Sequence, residues 1–486
     1  MTQQHSFDFF DRGGGHLINI VVHGHFYQPP RENPWTGKIP REISANPSHD
    51  WNERIFGECY KPNSCAKILD SDGCIAEVIN NYAFLSFDFG PTLHRWIEGY
   101  SSQLNRVLYE SGDRALAQAY NHIIMPLADD RDKLTQTIWG REDFKYRYGR
   151  APKGMWLPET AVDTATLETL VSCGIEFTIL AQRQCAAVTD NKGTRLTPGG
   201  VGLDITRPYI CELPSGRSIT IFFYNGKLSQ DIAFGGLLNN GDRFKDALVA
   251  AAVEGDDRIL LTAADGETFG HHHMFGEMAL ARMIQQASLD SRINMPSLEE
   301  FLEKHPARAK CVIEENTSWS CAHGVERWRS NCGCHTGGEP GWNQKWRAPL
   351  RQAFDNLAAK IDELYDKEVS PYCDPWQLRN EAIEIYKCGI YLDKEVRYER
   401  RHAFIKETVG DLPAETCTRL LDLIGMERMR MFAYTSCGWF FNDISGIETE
   451  HNIAYALRAA QIAEKLSGRE FISALIKDLG EVLGNT

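Results

Sequence analysis

The chain has 486 residues, and 52 Lys and Arg against 66 Asp and Glu leave a formal net charge of −14. That balance excludes a broad electrostatic grip on nucleic acid or an anionic membrane and does not oppose a neutral substrate such as a sugar. Hydrophobic residues at 43% and aromatics at 10% exclude disorder as the general state, and the length suits one large domain with a smaller one or about three units. Leu17–Val22 is the first candidate strand, interrupted by Asn19. It is far short of the roughly 18 apolar residues of a membrane span and lacks the basic start and cleavage site of a signal peptide. Apolar runs recur at Ala83–Phe87, Gly154–Leu157, Phe177–Leu180, Ile219–Phe223 and Ile259–Thr262, with a weaker one at Cys311–Ile313. Amphipathic stretches alternate with them. In Asp163–Cys173, Asp163 can cap while Leu167, Leu170 and Val171 share a face, and Glu277–Gln286 shows a similar spacing. Repeated β-then-α units predict a parallel sheet, and about seven strands suit a barrel.

After about residue 345 the texture becomes helical, at Leu350–Leu364, Trp376–Cys388, Pro413–Thr435 and Ile453–Leu466. The expected organisation is an α/β barrel over residues 1–345, including a Trp-, Cys- and Gly-rich loop at 316–346, followed by an α-helical domain over 347–486. The fourteen cysteines are scattered through a long chain without an export signal, so they read as reduced thiols of a cytoplasmic protein.

Three clusters carry chemistry. The first strand runs into His23-Gly-His25-Phe-Tyr-Gln28-Pro-Pro. Alternate strand positions share a face, so His23 and His25 point into one space, as metal ligands, as donors to substrate hydroxyls or as structural histidines. Parallel barrels carry their active sites at that end of the strands. Gly154-Met-Trp156-Leu-Pro-Glu159 places a carboxylate just before the helix capped by Asp163, where the helix dipole favours its ionised form. A solvated surface Glu is the plainer alternative. The third cluster, Thr262-Ala-Ala-Asp265-Gly-Glu267-Thr-Phe-Gly270, is followed by His271, His272 and His273. Adjacent side chains diverge, so these three histidines do not converge on one ion.

Together, His23-x-His25-x-x-Gln28-Pro29, Trp156-x-x-Glu159 and Asp265-Gly-Glu267-x-Phe-Gly270 resemble glycoside hydrolase family 57. Supporting segments are Phe87-Asp-Phe-Gly-Pro91-Thr-Leu93, Tyr120-Asn-His122-Ile-Ile-Met-Pro126-Leu127 and, in the tail, Cys437-Gly-Trp439-Phe-Phe-Asn-Asp443. The resemblance implies a (β/α)7 barrel with a C-terminal helical domain, acting on α-linked glucans or maltooligosaccharides by a retaining mechanism, as an α-amylase or 4-α-glucanotransferase does. It makes Glu159 the nucleophile and Asp265 the general acid/base. His23, His25, Gln28, His122 and Glu267 would meet sugar hydroxyls, and Trp156 would give a stacking wall. Retention requires one ionised and one protonated carboxyl roughly 5–5.5 Å apart.

The sequence departs from the family at Phe26 and Tyr27, which lengthen the first motif. It also departs in the loop Trp319-Ser-Cys321-Ala-His323 to Cys332-Gly-Cys334-His335, which sets it apart from the well-studied members. There Trp319, Arg327 and Trp328 read as sugar subsites. Thiolates and imidazoles are good zinc ligands, but Cys-x-Cys is less usual than Cys-x₂₋₄-Cys in a structural site, so no metal and no cofactor is assigned. Metal binding by Cys321, His323, Cys332, Cys334 and His335, or a purely structural connector, stays open beside the subsite reading. Trp439 and Asp443, four apart, read as a tail contribution to the substrate cleft, with an interdomain core Trp as the alternative. Two other classes remain open. One is a metal-dependent deacetylase or hydrolase using His23, His25 and Asp265, and the other is a non-catalytic glucan-binding protein.

Overall fold

The computed structural model describes residues 17–387 and 394–485. Its centre is a parallel barrel of seven strands among the described residues. They are β1 (Ile18–Phe26), β2 (Ser86–Phe89), β3 (Ala115–Gln118), β4 (Met155–Trp156), β5 (Phe177–Ala181), β6 (Ser218–Tyr224) and β7 (Ile259–Asp265). Five of them pair in the order β7-β1-β2-β3-β4, and β5 pairs with β6. A parallel bridge from Gly154 to Phe177 joins β4 to β5. The amide of Asn225, one residue past β6, donates to the Leu261 carbonyl of β7 at 2.8 Å and closes the ring. Every residue of β1 is buried. A strand covered on both faces needs a continuous apolar run rather than alternation, which is why Ile18–Val22 announces itself.

The expected strand at Ala83–Phe87 begins later than its apolar run. Asn80 caps a 3₁₀ turn over Asn81–Ala83 by accepting from the Tyr82 amide, so β2 starts only at Ser86. The run at Cys311–Ile313 does form a strand, Ala309–Ile313, but not in the barrel. It lies in a side sheet that extends β6 through Tyr209–Glu212, Ala309–Ile313, Cys185–Asp190 and Gly193–Leu196. The seventh barrel strand is β3 instead, four fully buried residues that end on a Gln.

Helices flank the barrel, among them Asp130–Tyr148 after β3, Thr164–Ser172 after β4 and Gly276–Leu289 after β7. Asp163 caps the second of these by accepting from the Thr166 amide at 2.8 Å. From Arg347 onward the described elements are helices: Arg347–Val369, Pro375–Glu381, a 3₁₀ turn at Ala382–Ile385, Lys394–Thr408, Ala414–Phe432, Cys437–Phe440, Ile447–Ser467 and Ile472–Leu479. Cys388, the end of one expected helix, lies outside the described residues. These helices share an apolar core that also takes in Tyr120, Ile124 and Trp139 from the barrel side. Asp132 ties the two parts electrostatically, since both of its oxygens accept from the buried Arg430, at 2.6 and 2.7 Å. Arg430 and Arg379 hold its carboxyl down at about 2 despite burial. No helix among the described residues is long and apolar enough to cross a membrane.

The tail corrects two expectations. Trp439 is fully buried, edge-on to Phe354 at 5.7 Å, beneath the Arg351 guanidinium, with its Nε1 donating to the Arg347 carbonyl at 3.3 Å. It has no face to offer a sugar. Asp443 accepts from the Ser445 amide and hydroxyl and from the amide and side chain of Asn485, so it fastens the end of the chain. Trp439→Ala is therefore expected to cost about 3–5 kcal/mol, as large-to-small core changes do. Denaturant titration would read that loss, with KM for long substrates unchanged in the folded fraction. A raised KM at unchanged stability would return Trp439 to the substrate.

Candidate active site

The cleft lies at the C-terminal ends of β1, β2 and β7. Parallel registration sets His25 beside Asp88 on one side and beside Asp265 on the other. His23 and His25 face the same way, and a single buried carboxylate serves both. Asp88 Oδ1 lies 3.0 Å from His23 Nε2, and Oδ2 lies 2.8 Å from His25 Nδ1. His23 Nδ1 meets Ser86 Oγ at 2.9 Å, His25 Nε2 meets His122 Nε2 at 3.1 Å, and His122 Nδ1 meets Ser436 Oγ at 2.6 Å. A hydrogen-bonded row thus runs from β2 through β1 to the helical tail.

Charge along this row follows from its surroundings. Burial opposes an ionised Asp88, but His25 and the hydrogen bonds from both histidines outweigh it, and the carboxyl sits below its ordinary range. Burial also opposes a charged His25. The carboxylates of Asp88, Asp265 and Glu159 prevail there and raise it. Burial lowers His23 and pushes His122 well down, the latter helped by the neighbouring His25 charge. These directions favour a proton on His25 over one on His23 or His122, with His25 Nδ1 facing Asp88 and Nε2 facing His122.

Glu159 follows β4 in a left-handed conformation, φ +58°, and Thr160 has φ +48°. A β-branched residue is strained there. Gln184 holds the turn, accepting from the Thr160 hydroxyl at 2.9 Å and donating to its carbonyl at 2.8 Å. The loop after the barrel closes over Glu159. Trp319 Nε1 and Ser320 Oγ donate to Glu159 Oε2 at 2.9 and 2.6 Å, and the Trp319 amide donates to the Glu159 carbonyl. Burial raises the Glu159 carboxyl, and Asp265 adds to that. Ser320, Arg327 and Trp319 pull the other way. The expected stabilisation by the helix dipole is thus outweighed, because Thr160, Ala161, Val162 and the Asp163 cap separate Glu159 from the helix.

Asp265 ends β7 open to the cleft, with no hydrogen bond to its carboxyl from the described residues. The desolvating walls raise it, His25 lowers it, and Asp88 raises it again, with a net rise. Glu267, two residues on, accepts from Gln28 Nε2 at 2.8 Å and from the Tyr60 hydroxyl at 2.6 Å. The buried Arg31 donates to Gln28 Oε1 at 2.6 Å, which fixes the amide's orientation towards Glu267.

The structure brings His25, Gln28, His122, Glu159, Asp265, Glu267 and Trp319 together. It does not bring His23 and Trp156 to the cleft surface. Both are fully buried and stacked at 4.6 Å between ring centroids, so they form a layer behind His25 instead of a sugar wall. Trp328 is likewise in the core, which corrects its expected subsite role. Arg327 is buried too, donating to the Phe440, Ser320 and Thr336 oxygens, and so braces the loop instead of meeting substrate. The histidine run does diverge: His271 meets Glu58 and His273 meets the Ala233 carbonyl. Sequence reasoning overlooked Asp88, Ser320, Ser436, Tyr60 and Arg31. Only Asp88 carried a signal, in register with His25 within the Phe87–Leu93 motif.

Comparison with known proteins bears on the fold and the family. An α-amylase of Pyrococcus abyssi is 21% identical over 284 residues, which are 55% of this chain and 39% of that protein, so the chain spans well under half of that relative. The fold is shared with an exo-type maltose-forming amylase from a Pyrococcus species, at TM-score 0.73 and 15% identity over 95% of this chain and 82% of the other. It is shared as well with a branching enzyme from Pyrococcus horikoshii, at TM-score 0.56 and 14% identity over 96% and 95%. Residues 342–486 match the sequence profile of a domain of unknown function, DUF3536. Residues 2–314, the barrel with its paired carboxyls, match the profile of glycosyl hydrolase family 57, and the chain belongs to that family.

Proposed function

We propose that the protein is a retaining glycoside hydrolase or transglycosylase acting on α-linked glucans through a covalent glycosyl-enzyme intermediate. The observation that carries this reading is the unequal setting of two neighbouring carboxyls. Glu159 accepts two hydrogen bonds on one oxygen and feels Arg327, which offset part of the rise that burial and Asp265 impose and so serve a nucleophile that must react ionised. Asp265 accepts none from the described residues, and burial together with the Asp88 carboxylate raises it against the pull of His25, which favours the protonated acid. In the first step Glu159 attacks the anomeric carbon while Asp265 gives its proton to the leaving oxygen. In the second, Asp265 takes a proton from water, giving hydrolysis, or from a sugar hydroxyl, giving transfer. His25 lies among Asp88, Glu159 and Asp265, whose carboxylates raise it against burial, so a proton held there offsets the charge of Asp88 and Glu159. Trp319, half-buried and edge-on to Trp156 and Tyr224, supplies the sugar platform, with Gln28 and Glu267 near it, while the buried His122, bonded at both ring nitrogens, positions His25. The names of the relatives, a maltose-forming amylase and a branching enzyme, support an α-glucan substrate. In this reading residues 1–345 carry the chemistry, and the helical residues 347–486 complete the cleft through Ser436.

The deacetylase alternative needs metal-binding nitrogens on His23 and His25, and all four of their ring nitrogens face protein partners. Incubation with maltooligosaccharides and with glycogen, products resolved by length, tests the proposal. Shorter chains indicate hydrolysis, and a ladder of longer ones indicates transfer. No change in either substrate would overturn it.

Ser320→Ala gives a finer test. Its hydroxyl holds the Glu159 carboxyl down, so its loss should raise that pKa further. The acidic limb of kcat/KM, which reports the free enzyme's essential base, should move to higher pH. An unchanged limb would separate Ser320 from the nucleophile.

A further inference from the structure

The loop that covers Glu159 carries a second arrangement, unused by the chemistry above. One ligand atom each from Cys321, His323, Cys332 and Cys334 lies within 4.8 Å of every other. Cys321 Sγ is 3.9 Å from Cys332 Sγ and 3.7 Å from Cys334 Sγ, and Cys334 Sγ is 3.6 Å from His323 Nδ1. These spacings far exceed the roughly 2.05 Å of a disulfide. They match the edges of a tetrahedron around zinc. Bonds of about 2.3 Å to sulfur and 2.0–2.1 Å to nitrogen give edges of about 3.8 Å between sulfurs and about 3.6 Å from sulfur to nitrogen.

We propose that Cys321, His323, Cys332 and Cys334 form a structural Cys3His zinc site that fastens the loop over the catalytic carboxylate. Four protein ligands fill a closed, non-catalytic coordination sphere. His335, the remaining histidine of the loop, turns away to the Gly337 carbonyl and is no ligand. The metal reading that the sequence left open, as the lesser one, is thereby preferred for four of its five residues. Sequence spacing counted against it, whereas ligation depends on where the turns bring the sulfurs.

The surroundings suit thiolates. The Cys334 amide donates to Cys332 Sγ at 3.4 Å, and Arg347 Nη1 approaches the same sulfur at 3.7 Å. Zinc with three thiolates and a neutral imidazole carries one net negative charge, and the buried Arg327 and Arg347 beside it supply the opposite sign. Binding a divalent cation through three thiolates releases the thiol protons to solvent.

The consequence for the cleft is geometric. Cys321 directly follows Trp319 and Ser320, the two donors to Glu159, and Arg327 Nη1 ties the Ser320 carbonyl into the same loop at 3.1 Å. The four ligands lie between the two profile matches, which end at residue 314 and resume at 342, so neither match accounts for them.

The test is metal analysis of untagged full-length protein expressed with added zinc. The expected content is about one zinc per chain. Mercurial titration of the thiols should release it, and alkylation of Cys332 and Cys334 should occur only after that release. Co²⁺ replacement should give the visible bands of a tetrahedral thiolate site. Cys334→Ser and Cys332→Ser should lose the metal, and His335→Ala should keep it. Zinc well below one per chain in the native protein, iron in its place, or a disulfide among these cysteines would overturn the proposal, whether or not the variants fold. The site's influence on turnover rests on the catalytic reading of Glu159, but its metal content does not, so the two fail separately.

Discussion

Glu159→Gln is expected to lower turnover on α-glucans by roughly 10⁴- to 10⁶-fold, the range seen when a nucleophile is removed from a site that otherwise stays intact. The amide is nearly isosteric, and its oxygen still accepts from Trp319 Nε1 and Ser320 Oγ, so the loop stays closed. What is lost is the electron pair that attacks the anomeric carbon. Stability should not fall, because burial already disfavours the charged carboxylate in the folded protein and the neutral side chain relieves that conflict. Reducing-sugar release, calorimetry and oligosaccharide binding would be measured together. Wild-type activity in the variant would remove Glu159 from the mechanism, and equal loss of binding and turnover would make it a binding residue instead.

Asp265→Asn should cost on the order of 10²- to 10⁴-fold on natural glucans, and the loss should depend on the leaving group. An aryl glycoside leaves without protonation, so formation of its intermediate should be spared, and breakdown, which needs the base, should become limiting. Azide attacks without a base and should partly restore turnover as a glycosyl azide. The basic limb of the pH profile should flatten, since the group whose deprotonation produces it is gone. The fold should be indifferent, because the Asp265 carboxyl has no hydrogen bond from the described residues to lose. Equal losses on both substrates, with no azide adduct, would count against the acid/base role.

Where the physics is local, the sequence was sufficient. The strands β1, β5, β6 and β7 each contain a mostly apolar run broken by at most a single polar residue, and the Asp163 cap is a contact over three residues. Period-two geometry put His23 and His25 on one face without knowledge of any partner. The family motifs ordered Glu159 and Asp265 in one chain, and the fold set them at one cleft.

Other features depended on what lies across the barrel. Ala309–Ile313 and Ala115–Gln118 are short strands alike, and only their hydrogen-bonded neighbours assign one to a side sheet and the other to the ring. Trp156 and Trp439 read from sequence as sugar platforms, since an aromatic serves a cleft or a core equally well. Burial by distant helices and by His23 decided for the core. Asp88 became the shared partner of two histidines only through parallel registration, and Ser436 reached His122 only because the tail folds back over 314 residues of chain. The Cys-x-Cys spacing concealed its fourth corner for the same reason. Chain direction over two or three residues is set by local torsions, whereas convergence of Cys321 and His323 on Cys332 and Cys334 is set by how the loop closes between barrel and helices.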